Sequence, residues 1–251
     1  MKTPSSATTT TRLDPHTVAV GFNNPGKRNA LDLAAVEELD QVLRDHRDSP
    51  TILILHSTTA GMFVSGADIA ELRERNADDA LRSINAGLFA RLAAHRWPTI
   101  AAIDGFALGG GCELALACDI RIATPASTFG QPELSLGILA GAGANWRLRQ
   151  LIGLGPARRM LYLGHKLNGE QALDAGLVDA LATSDSLMDD AHNLAKRIGR
   201  SSWRALELTK LALRQQEPAT TQFDIAAQAL LFESDDKRER MTAFLQRKKP
   251  Q

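Results

Sequence analysis

The sequence predicts an α/β fold, a largely parallel sheet covered by helices. Three observations carry it. In the first half, short apolar runs alternate with stretches of helical periodicity. After about residue 140 no convincing strand appears and helical patterns dominate. No linker rich in Pro, Gly or Ser separates the two halves, and 251 residues suit one large domain, or one with an appendage.

The elements follow in order. Residues 1–12 are polar and Thr-rich and read as a frayed start plus an edge strand. They lack a signal-peptide apolar core and carry too few Arg for a transit peptide. Residues 17–22, TVAVGF, read as a strand. Across 33–43, Val36, Leu39, Val42 and Leu43 fall at helical spacing, with Asp32 placed as N-cap. Residues 51–56 form a buried strand, 68–95 are mostly helical, and 99–104 form another strand. A glycine run opens a helix near 110–118, and 119–123 is a strand. Helical patterns then cover 145–152, 156–163, 170–176, 187–199, 202–215, 219–232 and 235–247. The last two carry apolar faces: Phe223, Ala227, Leu230 and Leu231, then Met241, Phe244 and Leu245. These faces close the same core or meet another subunit. The expected division is a core over 1–190 and a helical C-terminal region over 191–251.

Composition excludes several function classes. The chain carries 29 Lys+Arg against 29 Asp+Glu, a formal net charge of zero. It has no long-range field to gather nucleic acid or an anionic membrane. A 44% hydrophobic share is too high for a disordered chain. The most apolar stretch, 100–120, is broken by Asp104, Glu113 and Asp119, so no membrane span is expected. Cys112 and Cys118 make neither a disulfide framework nor a CxxC site, and the six histidines give no HxxxH or HExxH. A metal site is not expected. A reducing compartment, the cytoplasm, is.

Three segments can do chemistry. Residues 107–119, ALGGGCELALACD, place three glycines between a strand and a helix. Backbone N–H groups there can approach an anion or a developing oxyanion. The bland alternative is a tight turn where strand and helix meet. Residues 129–137, FGQPELSLG, are a proline turn whose Glu133 is either solvated or functional. Residues 63–69, FVSGADI, are a turn ahead of a helix that Asp68 can cap. Two carboxylates converging on a pocket with backbone donors would suit general acid–base chemistry on a carbonyl compound. Cys112 carries no mark of activation, Asp119 joins helix to strand, and His95 and His165 have no partners for a triad.

In this order and spacing, the segments resemble the enoyl-CoA hydratase/isomerase (crotonase) superfamily. Residues 24–31, NPGKRNAL, resemble its N-terminal motif. Gly66-Ala-Asp68 resembles its first oxyanion loop, 109–119 its second loop and helix, and 129–137 its second acidic segment. DAGLVD at 174–179 and the 235–244 stretch resemble later signatures. The similarity covers roughly residues 15–248.

The resemblance implies a spiral of ββα units with a helical C-terminal region that builds trimers, often paired into hexamers. It implies an acyl-CoA thioester as substrate, coenzyme A belonging to the substrate and no separate cofactor. The backbone N–H groups of Ala67 and Gly110 would hold the thioester oxygen. Glu113 would act as the water-side base and Glu133 as the acid that protonates C2. Implied substrate or CoA contacts are Ser65, Gly66, Asp68, Ile69 and Gly109 around the loops, Lys27 and Arg28, Trp146, and Arg247 beside Lys248 and Lys249. Two departures stand out. Many relatives place a Lys two positions after the Asp68 equivalent, where this chain has Ala70. Many read PGAGGTQRL where this chain reads AGAGANWRL over 140–148. Trp146 there adds bulk and an N–H to an acyl pocket, or it packs in the core or at a subunit contact. The expected activity is addition of water across the C2=C3 bond of a trans-2-enoyl-CoA. The alternatives are a double-bond isomerase, a thioester hydrolase or decarboxylase acting on a CoA or carrier-protein thioester, and a non-catalytic thioester binder.

Overall fold

The computed structural model describes residues 6–214 and 220–247. It opens with an antiparallel pair, β1 (Thr8–Asp14) on β2 (Thr17–Phe22), the expected edge strand included. Helix α1 (Leu33–Asp45) starts at Asp32, whose carboxylate accepts from the Ala35 N–H at 3.0 Å. Strands β3 (Ile52–Ser57) and β4 (Met62–Val64) follow, then α2 (Ile69–Glu74), α3 (Ala77–Leu81) and α4 (Ile84–Ala93). Next come β5 (Thr99–Ile103), β6 (Phe106–Leu108), α5 (Gly110–Ala117), β7 (Ile120–Ala123) and β8 (Thr128–Gly130). The remainder is α6 (Ala144–Ile152), α7 (Leu154–Leu163), β9 (Leu167–Asn168), α8 (Gly169–Asp174), β10 (Ala180–Leu181), α9 (Leu187–Gly199), α10 (Trp203–Arg214), α11 (Thr220–Phe232) and α12 (Asp235–Arg247).

The strands divide between two sheets, ordered β1-β2-β3-β5-β7-β10 and β4-β6-β8-β9. From β3 to β8, successive strands alternate between the sheets and a helix closes each of the first two turns: β3-β4-α2, then β5-β6-α5. This is the ββα spiral that the resemblance implies. Within the larger sheet, β2 to β10 are parallel. Side chains alternate faces along each strand. Leu53, Leu55, Ala101 and Ile103 therefore join the core beneath α1, α4 and α5. Ile52, Ile54, Ile100 and Ile122 face Ala191 and Ala195 of α9. Helix α9 crosses residue 190 and covers this sheet face.

Three features differ from the sequence reading. The 68–95 stretch is mostly helical as expected, but divided among three short helices, because Arg75 is extended and Ser83 is left-handed at φ 55°. Asn76 and Asp79 restart the helix as a capping box. The smaller sheet was not legible, since its strands are two or three residues long. Strands β9 and β10 also lie beyond residue 140, where none was expected.

The last two helices fold back over their own chain. Leu72 and Ala80 pack with Ile138, Ala229, Phe232 and Met241. Lys237, 1% exposed, donates from Nζ to the Arg75 carbonyl at 2.8 Å and ties α12 to the end of α2. The side chains of Phe223 and Ala227 lie outside the described residues.

Candidate active site

Two loops from the smaller sheet form the site. The first leaves β4 through Ser65, Gly66 and Ala67 and enters α2. The second leaves β6 through Gly109 and enters α5. Their main chains touch. A Cβ on Gly111 would sit 1.9 Å from the Val64 carbonyl oxygen, so only glycine permits this approach. The position a Gly110 Cβ would take is 3.4 Å from the Ala67 nitrogen. The Leu31 N–H donates to the Gly66 carbonyl at 2.8 Å and pins the first loop. Gly110 is the first residue of α5, so its N–H precedes the first intrahelical bond, made by Glu113 N to the Gly109 carbonyl at 2.9 Å.

Glu113 lies one turn into α5 and is 3% exposed. Its Oε1 accepts from the Ala142 N–H at 2.8 Å and the Ala144 N–H at 3.1 Å. Ala144 opens α6, so a helix N-terminus faces this carboxylate and complements its negative charge. Glu133 follows β8 on a single 3-10 turn (Glu133–Leu136) and is 9% exposed. Burial, followed by the charge of Glu113, pushes its carboxyl well above the usual carboxylate range. The Gln131 amide, with its NH2 turned to Glu133, donates to both oxygens at 3.1 and 3.0 Å. Turned over, the same amide offers its carbonyl to the neutral acid.

One cavity brings these pieces together. Ser65, Gly66, Ala67, Ile69, Gly109, Gly110, Glu113 and Glu133 all line it, and Ile225, Gln228 and Phe232 of α11 cover it. The match to the enoyl-CoA hydratase/isomerase family model spans residues 15–251. The chain belongs to the enoyl-CoA hydratase/isomerase family. It is 36% identical to the short-chain-enoyl-CoA hydratase of Clostridium acetobutylicum, over 92% of this chain and 91% of that one. It is 38% identical to the 2,3-dehydroadipyl-CoA hydratase of Escherichia coli K12, over 91% and 92%. Among solved structures, an enoyl-CoA hydratase from Bacillus anthracis superposes with a TM-score of 0.80 at 31% identity, covering 98% of each chain.

Other residues suggested by the family resemblance lie apart from this cavity. Asp68 caps α2 through the Ala70 and Glu71 N–H groups and pairs with Lys27 at 2.9 Å. Lys27 also meets Asp32 at 3.4 Å. Arg28 is exposed and left-handed at φ 54°. Trp146 is buried and lines a second cavity, which shares Glu133 but neither loop nitrogen. Its indole N–H has no hydrogen-bond partner among the described residues, and the Arg147 guanidinium lies 4.3 Å from its ring centre. The side chain of Arg247, with Lys248 and Lys249, lies outside the described residues.

The sequence reading did not single out some neighbours of the two glutamates. Gln131 stood inside the FGQPELSLG segment but was not singled out. The Ala142 and Ala144 N–H groups carry no side-chain signature, and only the glycine-rich 141–143 stretch hinted at exposed main chain. Cys112 is fully buried among the glutamates, and burial followed by the charges of Glu133 and Glu113 keeps it a thiol. His95 is pushed down to about 3 by burial and then by the Lys210 charge, so it stays neutral. Among the described residues, no helix is long and apolar enough to cross a membrane.

Proposed function

We propose that this protein hydrates trans-2-enoyl-CoA thioesters. The carrying observation is the unequal carboxyl pair on one cavity. Glu113 is faced by two N–H donors of a helix start, and Glu133 is driven towards its neutral form. The thioester oxygen sits between the Ala67 and Gly110 N–H groups, which stabilise the charge arriving there as the double bond is attacked. A water between the two carboxyls gives its proton to Glu113 while its oxygen bonds to C3. The enolate collapses and C2 takes the proton of Glu133. One water is added and no electrons leave, so the two carboxyl groups supply the proton transfers and coenzyme A enters only as part of the substrate.

The test follows the conjugated thioester absorbance of trans-2-enoyl-CoA esters of graded length. Loss of absorbance with formation of the 3-hydroxyacyl product is expected. Glu113→Gln and Glu133→Gln each lower kcat by about 10²–10⁴-fold. Undiminished activity in Glu133→Gln sinks the mechanism. A Glu113→Gln protein that moves double bonds instead of adding water points to isomerisation.

The protein assembles as a trimer or a dimer of trimers in the cytoplasm. Leu208, Leu211 and Leu213 of α10 and Tyr162 and Leu163 of α7 are exposed, which supports burial between copies. Sedimentation at three or six chain masses is the expected result, and a monomer overturns the assembly.

A further inference from the structure

The cavity that holds both glutamates is not apolar throughout. Ile69, Leu72, Ile138 and Phe232 give it a hydrophobic body, but Arg75 lines it as well. Helix α2 separates Arg75 from the Ala67 loop by six residues, about 9 Å of helix. A thioester whose carbonyl sits at that loop, with its acyl tail turned into the cavity, has that tail within the same walls as this guanidinium.

The Arg75 side chain is partly buried, and burial disfavours its charge. Among the described residues it has no hydrogen-bond or ion-pair partner. The nearby carboxyls are committed elsewhere. Asp79 accepts from the Asn76 N–H at 3.1 Å and faces Arg82 at 3.6 Å. Asp68 caps α2 and holds Lys27. Glu71 is pushed above the usual range by burial and by Asp68 and Asp32. The charges of Glu71, Asp79 and Asp68 favour the Arg75 cation, but none of the three bonds to its guanidinium. Two more polar atoms on the cavity lining, Asn85 Oδ1 and Gln228 Oε1, are buried with no hydrogen-bond partner among the described residues. Both belong to amides that can present either face.

A partly buried guanidinium whose donors meet no partner among the described residues suits a planar, anionic, two-oxygen acceptor. A methyl-ended tail filling the cavity would leave those donors without acceptors, and a donor taken from water without an acceptor is costly. We propose that the substrate's acyl tail ends in a carboxylate held by Arg75, so that the preferred substrates are mono-CoA thioesters of unsaturated dicarboxylic acids. This specificity rests on the hydratase reading for its chemistry, but not for its binding.

The test separates the two. Adipyl-CoA and hexanoyl-CoA are saturated, equal in chain length, and bind without turnover. Calorimetry is expected to give adipyl-CoA a Kd at least about tenfold lower. Arg75→Leu abolishes that preference and leaves the hexanoyl-CoA Kd within about twofold, and Arg75→Lys keeps part of it. Equal or tighter binding of hexanoyl-CoA by the unaltered protein overturns the proposal. So does an Arg75→Leu protein that loses both ligands equally. Turnover of hex-2-enedioyl-CoA against hex-2-enoyl-CoA then tests the reaction itself. A carboxylate preference in binding with neither ester hydrated keeps the Arg75 site and rejects the hydratase reading. Preferred hydration of the uncharged ester does the reverse.

Discussion

Burying a carboxyl whose charge is disfavoured costs stability at neutral pH, and it suits the proton donation proposed for Glu133. The ordinary Glu133 value is 4.5, and its folded value is well above that. Between the two, the unfolded chain has released its proton and the folded chain still holds it. Stability contributed by the neutral group is therefore lost as pH rises through that window. Hydratase activity should fall over the upper part of the same window, as the acid form is titrated. In Glu133→Gln, thermal unfolding should depend less steeply on pH across it, as scanning calorimetry at several pH values would reveal. Gly109 offers a second check. Its φ is +51°, and a Cβ there would lie 2.7 Å from Glu133 Oε1. Gly109→Ala should displace that carboxyl and lower kcat at least 100-fold, with circular dichroism unchanged. Glu113 and Glu133 were legible in the sequence because their segments occur 20 residues apart in a recognisable order. The neighbours that make them unequal were not, since burial and main-chain donors leave no mark on residue identity.

At the scale of elements, α5 carries the site and is fixed at both ends. Its start abuts the Val64 carbonyl. Near its finish the buried Arg121 of β7 donates to the Cys118 carbonyl at 2.6 Å and the Ala115 carbonyl at 3.4 Å. The same guanidinium reaches the Leu177 carbonyl at 2.8 Å and Asp179 at 3.3 Å. Arginine at a helix end satisfies carbonyls that have no intrahelical partner. Arg121→Met should leave several of them bare and cost about 2–4 kcal/mol, measured by urea unfolding. An unchanged midpoint would show that α5 does not depend on this anchor. Strands β2, β3 and β5 were legible because four to six buried residues run together in each. The three-residue strands of the smaller sheet fall below what periodicity can register. Those strands launch both loops of the site, so the sequence located its residues before it explained their placement.

Across the whole molecule, the C-terminal helices roof the cavity of their own chain. Helix α11 lies on α3, and α12 lies on α2 and the Glu133 turn. Lys237 holds this roof with a hydrogen bond into the backbone at Arg75, and its burial lowers its own tendency to be charged. Lys237→Met should speed hydrogen exchange in α11 and α12 while α1 and the central strands keep their protection. Uniform acceleration would mean that the roof unfolds only with the rest. The sequence left open whether the last two apolar faces served this core or another subunit, because an amphipathic helix shows that it has a partner without saying which. For α11 and α12 the partner includes their own α2 and α3.

The proposed anion cradle is built from N–H groups on a glycine-shaped main chain, and the proposed proton carriers beside it are side chains. These two parts differ in how they meet mutation. Most codon changes at position 67 leave an N–H in place, whereas a single change at 113 or 133 removes an acid. A duplicated gene drifting without selection would lose its proton carriers long before its grip on a thioester oxygen. New reactions on such a scaffold would arise by replacing acids around a carbonyl that is already bound, and lost ones would leave proteins that still bind their former substrates.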